Sequence, residues 1–418
     1  MFADQTSLVP SAFICDLANF GRDAGYRPPA RWWQDHRIDS CGPWGIWLKR
    51  FLSLVLTGLL IAGVAVAVIA GHVGKAKAPG RLTTVRGIIG SEKQPFFADP
   101  RVRRIFANHG LDVEVDTAGS RQIATTIDLA RYDFAFPSSS PAALKIQLER
   151  KITTEYAPFY SPMAIATFTP IAQLLRRIGV ARPNPGGSWT FDVGRYLDLA
   201  RKKMRWNQIA GNTAYPVRKD ILITTTDPRD SNSAAMYISY ASYVANGDNI
   251  VHGTAAEKRV LPLMSSLFLD QGYTQNSSQG PFDDYLALGM GNTPMVNIYE
   301  AQFVAQVVKG DGSIQPDMVL MYPSPTVLSK HTLVPLDHKG DQVGRLLTTD
   351  PGLQRLAADY GFRTQNPSLF DHIVAQHKAP VLTNLVDVVD PPSYDTLESL
   401  LDAVGRQYQT PALQGPGD

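Results

Sequence analysis

Serine-bearing turns recur where apolar runs should hand over to helices. Gly90-Ser91 follows Val85 to Ile89, Gly119-Ser120 follows Val113 to Val115, and Ser138-Ser139-Ser140 follows Phe134 to Phe136. A richer copy, Asp227-Pro228-Arg229-Asp230-Ser231-Asn232-Ser233, follows Ile221 to Thr225. A helix N-terminus carries unpaired N–H groups and the positive end of a dipole, so several of them converging with hydroxyls form a cradle for a small polar or anionic ligand. The competing reading of each serine is a plain helix cap, and of 227–233 a turn followed by a cap. Recurrence after successive strands favours a shared site. Arg121, beside Ser120, adds a guanidinium suited to an oxyanion or carboxylate, or else a solvated first-turn residue.

Bond-making chemistry finds little support. His372 and His377 are spaced so that they splay on a helix, and there is no His-Glu-x-x-His run or Gly-x-Ser-x-Gly elbow. Gly289-Met290-Gly291 lacks the third glycine of a dinucleotide fingerprint. The expectation is a binding protein rather than an enzyme, without cofactor or metal. Lys+Arg 40 against Asp+Glu 38 gives a net charge of +2, which leaves no nucleic-acid footprint. Cys15 and Cys41 both precede residue 50, which excludes a disulfide framework or cysteine metal site in the body that follows.

The elements that would position these residues alternate strand and helix. Asp99-Pro100 starts a helix striped by Val102, Ile105 and Phe106 and stopped at Gly110. Leu111, Val113 and Val115 alternate with acids as a half-buried strand. Further strands are expected at 134–136, 160–169, 221–225, 294–299 and 318–322, with helices from Arg121, from Ser140, over 191–206, over 233–246 and near 257–269. A βαβα run implies a mainly parallel sheet, whose ligands bind beyond the carboxyl ends of the strands.

The order Gly90-Ser91-Glu92-Lys93, Ala118-Gly119-Ser120-Arg121, Tyr132 to Pro137, Tyr160-Ser161-Pro162, Thr226 to Ser233, and Tyr299-Glu300-Ala301-Gln302 resembles the type II periplasmic solute-binding proteins, molybdate and sulfate binders most of all. The resemblance covers roughly residues 85 to 365. It implies an α/β, two-lobed fold, with lobe one at 85–165 and 299–375 and lobe two at 166–298. It also implies a ligand held by Ser91, Ser120, Ser138 or Ser139, and Ser161 on one side, by Ser231, Asn232 and Ser233 on the other, and by Tyr299 near the crossing.

Ahead of this body, Phe51 to Ala70 carries no charge, and Trp44, Trp47 and Lys49-Arg50 flank it on one side. About 20 apolar residues suffice to span a bilayer, so 48–73 is expected to be a transmembrane signal anchor. Residues 1–47 form a juxtamembrane tail, 74–84 a linker and 376–418 a C-terminal extension. Basic residues balance on the two sides of the apolar segment, so charge does not orient it. The resulting expectation is an inner-membrane, single-pass protein whose extracytoplasmic body captures a small polar, anionic ligand, with a permease or another membrane protein as its partner. A sensor or scaffold for membrane partners, and an anchored hydrolase or transferase, are the alternatives.

Overall fold

Strand β1 (Thr83–Ile89) buries Val85, Ile88 and Ile89, and its parallel neighbours are β2 (Leu111–Thr117) and β3 (Phe134–Phe136). The computed structural model describes residues 82–272 and 275–408, which belong to one unit, Gly80–Asp418. After β1 come a tight turn at Ser91–Lys93, helix α1 (Gln94–Ala98) and helix α2 (Pro100–Asn108). Asp99 caps α2 by accepting from the Arg101 N–H at 2.7 Å, and Gly110 leaves it at φ 80°. The short α3 (Ser120–Thr125) and the longer α4 (Ser140–Arg150) follow β2 and β3. The parallel βαβα start expected from the sequence is present.

The remainder is mixed rather than parallel. Strand β4 (Tyr156–Phe168) is antiparallel to every strand it touches: β9 (Thr326–Pro335) and β10 (Arg363–Thr364) beside its first half, β7 (Met295–Tyr299) and β8 (Met318–Ser324) beside its second. Beyond β8 lie β6 (Trp189–Asp192), then β5 (Ala181–Pro183), while β11 (Val388–Val389) pairs with β9. The chain is therefore a mixed α/β fold around one large sheet.

Helices cover this sheet: α5 (Thr169–Arg177), α6 (Val193–Arg201), α7 (Asn232–Ala245), α8 (Gly253–Leu269), α9 (Gln279–Leu288), α10 (Glu300–Lys309), α11 (His338–Thr349), α12 (Pro351–Asp359), α13 (Pro367–His377) and α14 (Tyr394–Gln407). Two expectations need correction. Residues 191–192 finish β6, because Asp192 caps α6 through the Arg195 N–H at 2.9 Å, so the helix expected over 191–206 begins later and ends at Arg201. Residues 221–225 form no strand; a single bridge joins Thr224 to Val296 beside β7.

The larger apolar assembly gathers the second half of β4, β7, β8 and the helices around them, with Tyr237 and Tyr240 of α7 packed inside it. The smaller ones gather β1 to β3 with α1, α2, α4, α11 and α12. Met318–Ser324, expected in lobe one, contributes Leu320, Met321 and Tyr322 to the larger assembly. In the expected C-terminal extension, α14 sends Leu397, Leu400, Leu401 and Val404 into that assembly, while Tyr394 packs against a smaller one. The apolar segment 51–70 lies outside the described residues, among which no helix is long and apolar enough to cross a membrane.

Candidate ligand cavity

The carboxyl ends of β1, β2 and β3 face the starts of α7 and α10 across a cavity of about 190 Å³. Its walls hold six of the expected site residues: Ser91, Ser120, Ser138, Ser231, Asn232 and Tyr299. They are tied to one another. Ser120 Oγ accepts from the Ser138 N–H at 2.8 Å. Asn232 Nδ2 donates to the Ser138 carbonyl at 3.2 Å and to the Tyr299 hydroxyl at 3.0 Å, while Ser91 and Ser277 approach to 2.9 Å at their hydroxyl oxygens. Ser231 caps α7 through the Ser233 N–H at 3.3 Å. Cap and cavity wall are here the same residue.

The walls meet closely. A Cβ on Gly119 would lie 2.0 Å from the Asp230 carbonyl oxygen, so only a glycine lets the β2 turn and the 227–233 turn approach this far. Gln122 Nε2 donates to Asp230 Oδ1 at 3.1 Å from the same side.

Four expected residues do not line the cavity. Arg121 donates to Glu398 at 2.6 Å, to Asp402, and to the Pro228 and Arg229 carbonyls, so its guanidinium is spent on α14 and the facing turn. Ser161 Oγ accepts from the Ala301 N–H at 3.1 Å, where it ties β4 to α10. Ser233 shares its hydroxyl with Thr226 at 2.6 Å and with Ser231 at 3.1 Å. Ser139 is the buried residue preceding α4.

Beneath the hydroxyl layer lies an ionic cluster. Lys93 is wholly buried; its Nζ donates to Glu92 Oε1 at 2.5 Å and to Ser138 Oγ at 2.8 Å, and sits 3.1 Å from His331 Nδ1 and 4.8 Å from the centre of the Phe136 ring. Ser138 donates to Glu92 Oε1 at 2.5 Å. Burial pushes the Glu92 carboxyl up, but the Lys93 charge and hydrogen bonding from His331 and Lys93 outweigh it, so Glu92 stays well below the usual carboxylate range. Burial lowers Lys93 against the opposing pull of Glu92. Burial first, and then the charge of Lys93, push His331 down to about 4, so its imidazole is neutral at pH 7. Burial and the Glu92 charge push the Tyr299 hydroxyl well up, leaving a neutral donor and acceptor.

No protein-family model matches the sequence, and no curated protein matches it. Among solved structures, the chain is similar to the sulfate-binding protein SubI from Mycobacterium tuberculosis H37Rv, at 14% identity over 76% of this chain and 96% of that one, with a TM-score of 0.43. It is also similar to the periplasmic binding protein AfuA from Actinobacillus pleuropneumoniae, with fructose-6-phosphate bound, at 12% identity, coverage of 78% and 97%, and a TM-score of 0.49. A third is apo ferric ion-binding protein A from Pasteurella haemolytica, at 13% identity, coverage of 79% and 99%, and a TM-score of 0.48. All three likenesses fall below a TM-score of 0.5, and the functional reading rests on the cavity's own atoms.

Sequence reasoning missed Glu92, Gln122 and the Asn276-Ser277-Ser278 run as cavity residues. The last carried the same signal as the others, a serine pair just before a helix, but no apolar strand precedes it. Glu92 and Lys93 carried no signal of their own in the sequence, because their third partner, His331, lies far along the chain on β9. Among the described residues, no group of three or more His, Cys, Asp or Glu side chains is arranged to hold a metal ion.

Proposed function

We propose that the body is a solute receptor that closes two lobes, β1 to β3 with their helices on one side and α7 with β7 on the other, around a small polar ligand. The observation that carries this reading is the meeting of Ser91, Ser120, Ser138, Ser231, Asn232 and Tyr299, drawn from five separate stretches of the chain, around one 190 Å³ cavity. Hydroxyls and helix-start amides supply hydrogen bonds without a nucleophile, base and orienter grouping, which favours capture over turnover. A cavity below the roughly 300–1,000 Å³ of drug-sized sites suits a small ligand. Contacts from both walls to one ligand would stabilise the closed form, so binding and closure are one coupled event.

The wider reading places the protein at the inner membrane, anchored through Phe51 to Ala70 with its body extracytoplasmic, and handing ligand to a permease. Protease accessibility of the body in spheroplasts tests that topology. For the cavity itself, full-length protein purified gently in detergent should release one small polar molecule on denaturation in a mass spectrometer. Ser91→Val combined with Asn232→Leu should abolish its retention. A protein that releases nothing, and whose melting temperature no panel of small polar metabolites shifts, overturns the reading.

A further inference from the structure

Helix α14 turns two neighbouring faces to two different parts of the protein. Leu397, Leu400, Leu401 and Val404 recur every three or four residues and enter the larger apolar assembly, which also holds α7 and β7. Two polar ties to α8 reinforce that attachment: Ser399 Oγ donates to Glu257 Oε2 at 2.8 Å, and Gln407 Nε2 to Ser265 Oγ at 2.8 Å. Tyr394, Glu398 and Asp402 follow one another at intervals of four residues and make up the second face. This face meets the β1 to β3 side. The Tyr394 ring packs on the small apolar assembly of β1, β3, α3 and α4, with Lys145 Nζ of α4 5.8 Å from its centre. Arg121 of α3, whose side chain is only 15% exposed, donates to Glu398 at 2.6 Å and to Asp402.

A helix fixed to one lobe and gripping the other must lose that grip whenever the lobes part. Resting on the two-lobe reading, though on no particular ligand, we infer that α14 is a latch. It travels with the α7 lobe and holds the β1 to β3 lobe through Arg121 and Tyr394, so that the closed arrangement is favoured before any ligand enters. Which lobe carries it follows from the packing, four apolar side chains on one side against one ring and one guanidinium on the other. The grip lies beside the contact it guards, because Arg121 also donates to the Pro228 and Arg229 carbonyls, in the turn that leads to the cavity residues Ser231 and Asn232. A device of this kind acts on the equilibrium between open and closed forms and not on any one ligand, so its loss weakens all ligands by a common factor.

The test is a distance measurement by pulsed electron spin resonance on the full-length protein, freed of any retained ligand. Spin labels replace the exposed Arg104 of α2 and Lys202, just after α6, in a background with Cys15 and Cys41 changed to serine. Wild-type protein should show one dominant distance. Arg121→Gln combined with Tyr394→Ala should add a longer one, with the ratio of open to closed forms raised about 10-fold, because charge-assisted hydrogen bonds and a packed ring are lost together. If the double variant has no cooperative urea transition, each single variant carries the test, at about 3-fold. Tyr394→Phe should match wild type, since the buried Tyr394 hydroxyl has no hydrogen-bond partner among the described residues. Equal open populations in wild type and the double variant overturn the inference and leave the two-lobed receptor standing, and so does a phenylalanine variant that opens as far as the alanine one. If no longer distance appears in any variant, the lobes do not part, and the two-lobe reading fails together with the latch.

Discussion

Ser91 and Ser277 meet hydroxyl to hydroxyl at 2.9 Å, joining the turn after β1 to the loop before α9 at the cavity's edge. The pair belongs to a set of direct bonds between facing walls, with Gln122 to Asp230 at 3.1 Å and Asn232 to the Ser138 carbonyl at 3.2 Å. Removing one such bond from a half-buried site costs about 0.5–1.5 kcal/mol, or roughly 2- to 12-fold in an equilibrium constant. Ser277→Ala should therefore speed ligand release by a factor in that range with little change in association. Stopped-flow displacement of the native ligand measures it, and an unchanged off-rate would remove Ser277 from the closure.

Gly119 offers a sterner test. Gly119→Ala puts a methyl group where the Asp230 carbonyl oxygen already stands, 2.0 Å away, and the obstacle is backbone, which cannot swing aside. Overpacking of this kind costs about 1–3 kcal/mol. Urea unfolding should show that loss, and small-angle scattering should show an enlarged radius of gyration. A variant with wild-type midpoint and radius would mean that the two turns separate freely.

Arg121 reaches Glu398 and Asp402 of α14 while holding the Pro228 and Arg229 carbonyls. Burial raises Glu398 against the opposing pull of Arg121, so deleting the arginine leaves a half-buried carboxylate without its cation. Arg121→Ala should cost about 1–3 kcal/mol, less than a fully buried pair because the site is partly solvated. Hydrogen exchange should rise in α14 and in 227–233 together. Exchange confined to α3 would show that the guanidinium serves only its own helix.

How far the sequence announced all this depends on distance along the chain. The α2 helix was legible from Asp99, Pro100 and Gly110 because caps and apolar spacing are local. Ser91, Ser120, Ser138, Ser231, Asn232 and Tyr299 were legible because each marks the place where a strand or turn becomes a helix, and parallel strands bring such places to one sheet end. Arg121 was not, since its partners Glu398 and Asp402 lie on the last described helix. The inward role of Glu92 was equally hidden, because its environment depends on His331 in β9, a strand whose near-continuous burial gives no alternation to read. Residues 221–225 have a strand's composition but find only a single bridge, a tertiary outcome that propensity cannot anticipate.

His331 makes stability depend on acidity. Its folded pKa is pushed down to about 4 from 6.5, so between these values the unfolded chain binds the proton that the folded chain refuses. Stability is complete above pH 6.5 and falls as pH drops toward 4, by about 2–3 kcal/mol near pH 4.5. Glu92, whose folded value is depressed, adds a loss of the same sign once pH passes below the ordinary carboxylate range. His331→Phe, which suits the neighbouring rings of Phe159, Tyr299 and Phe362, should flatten the slope between pH 6.5 and 4.5 in urea titrations. An unaltered slope would assign the acid sensitivity to other groups.

Strand β4 takes its pairing partners β7, β8, β9 and β10 wholly from residues 295 onward. A ribosome that has delivered β4 must therefore make more than a hundred further residues before the sheet's central ladder can zip, and such long-range pairing is slow to form. Until then the newborn chain carries a long, mostly apolar strand with both edges bare, the kind of surface on which unfinished proteins stick to one another. This architecture makes the protein a natural client for chaperones during synthesis.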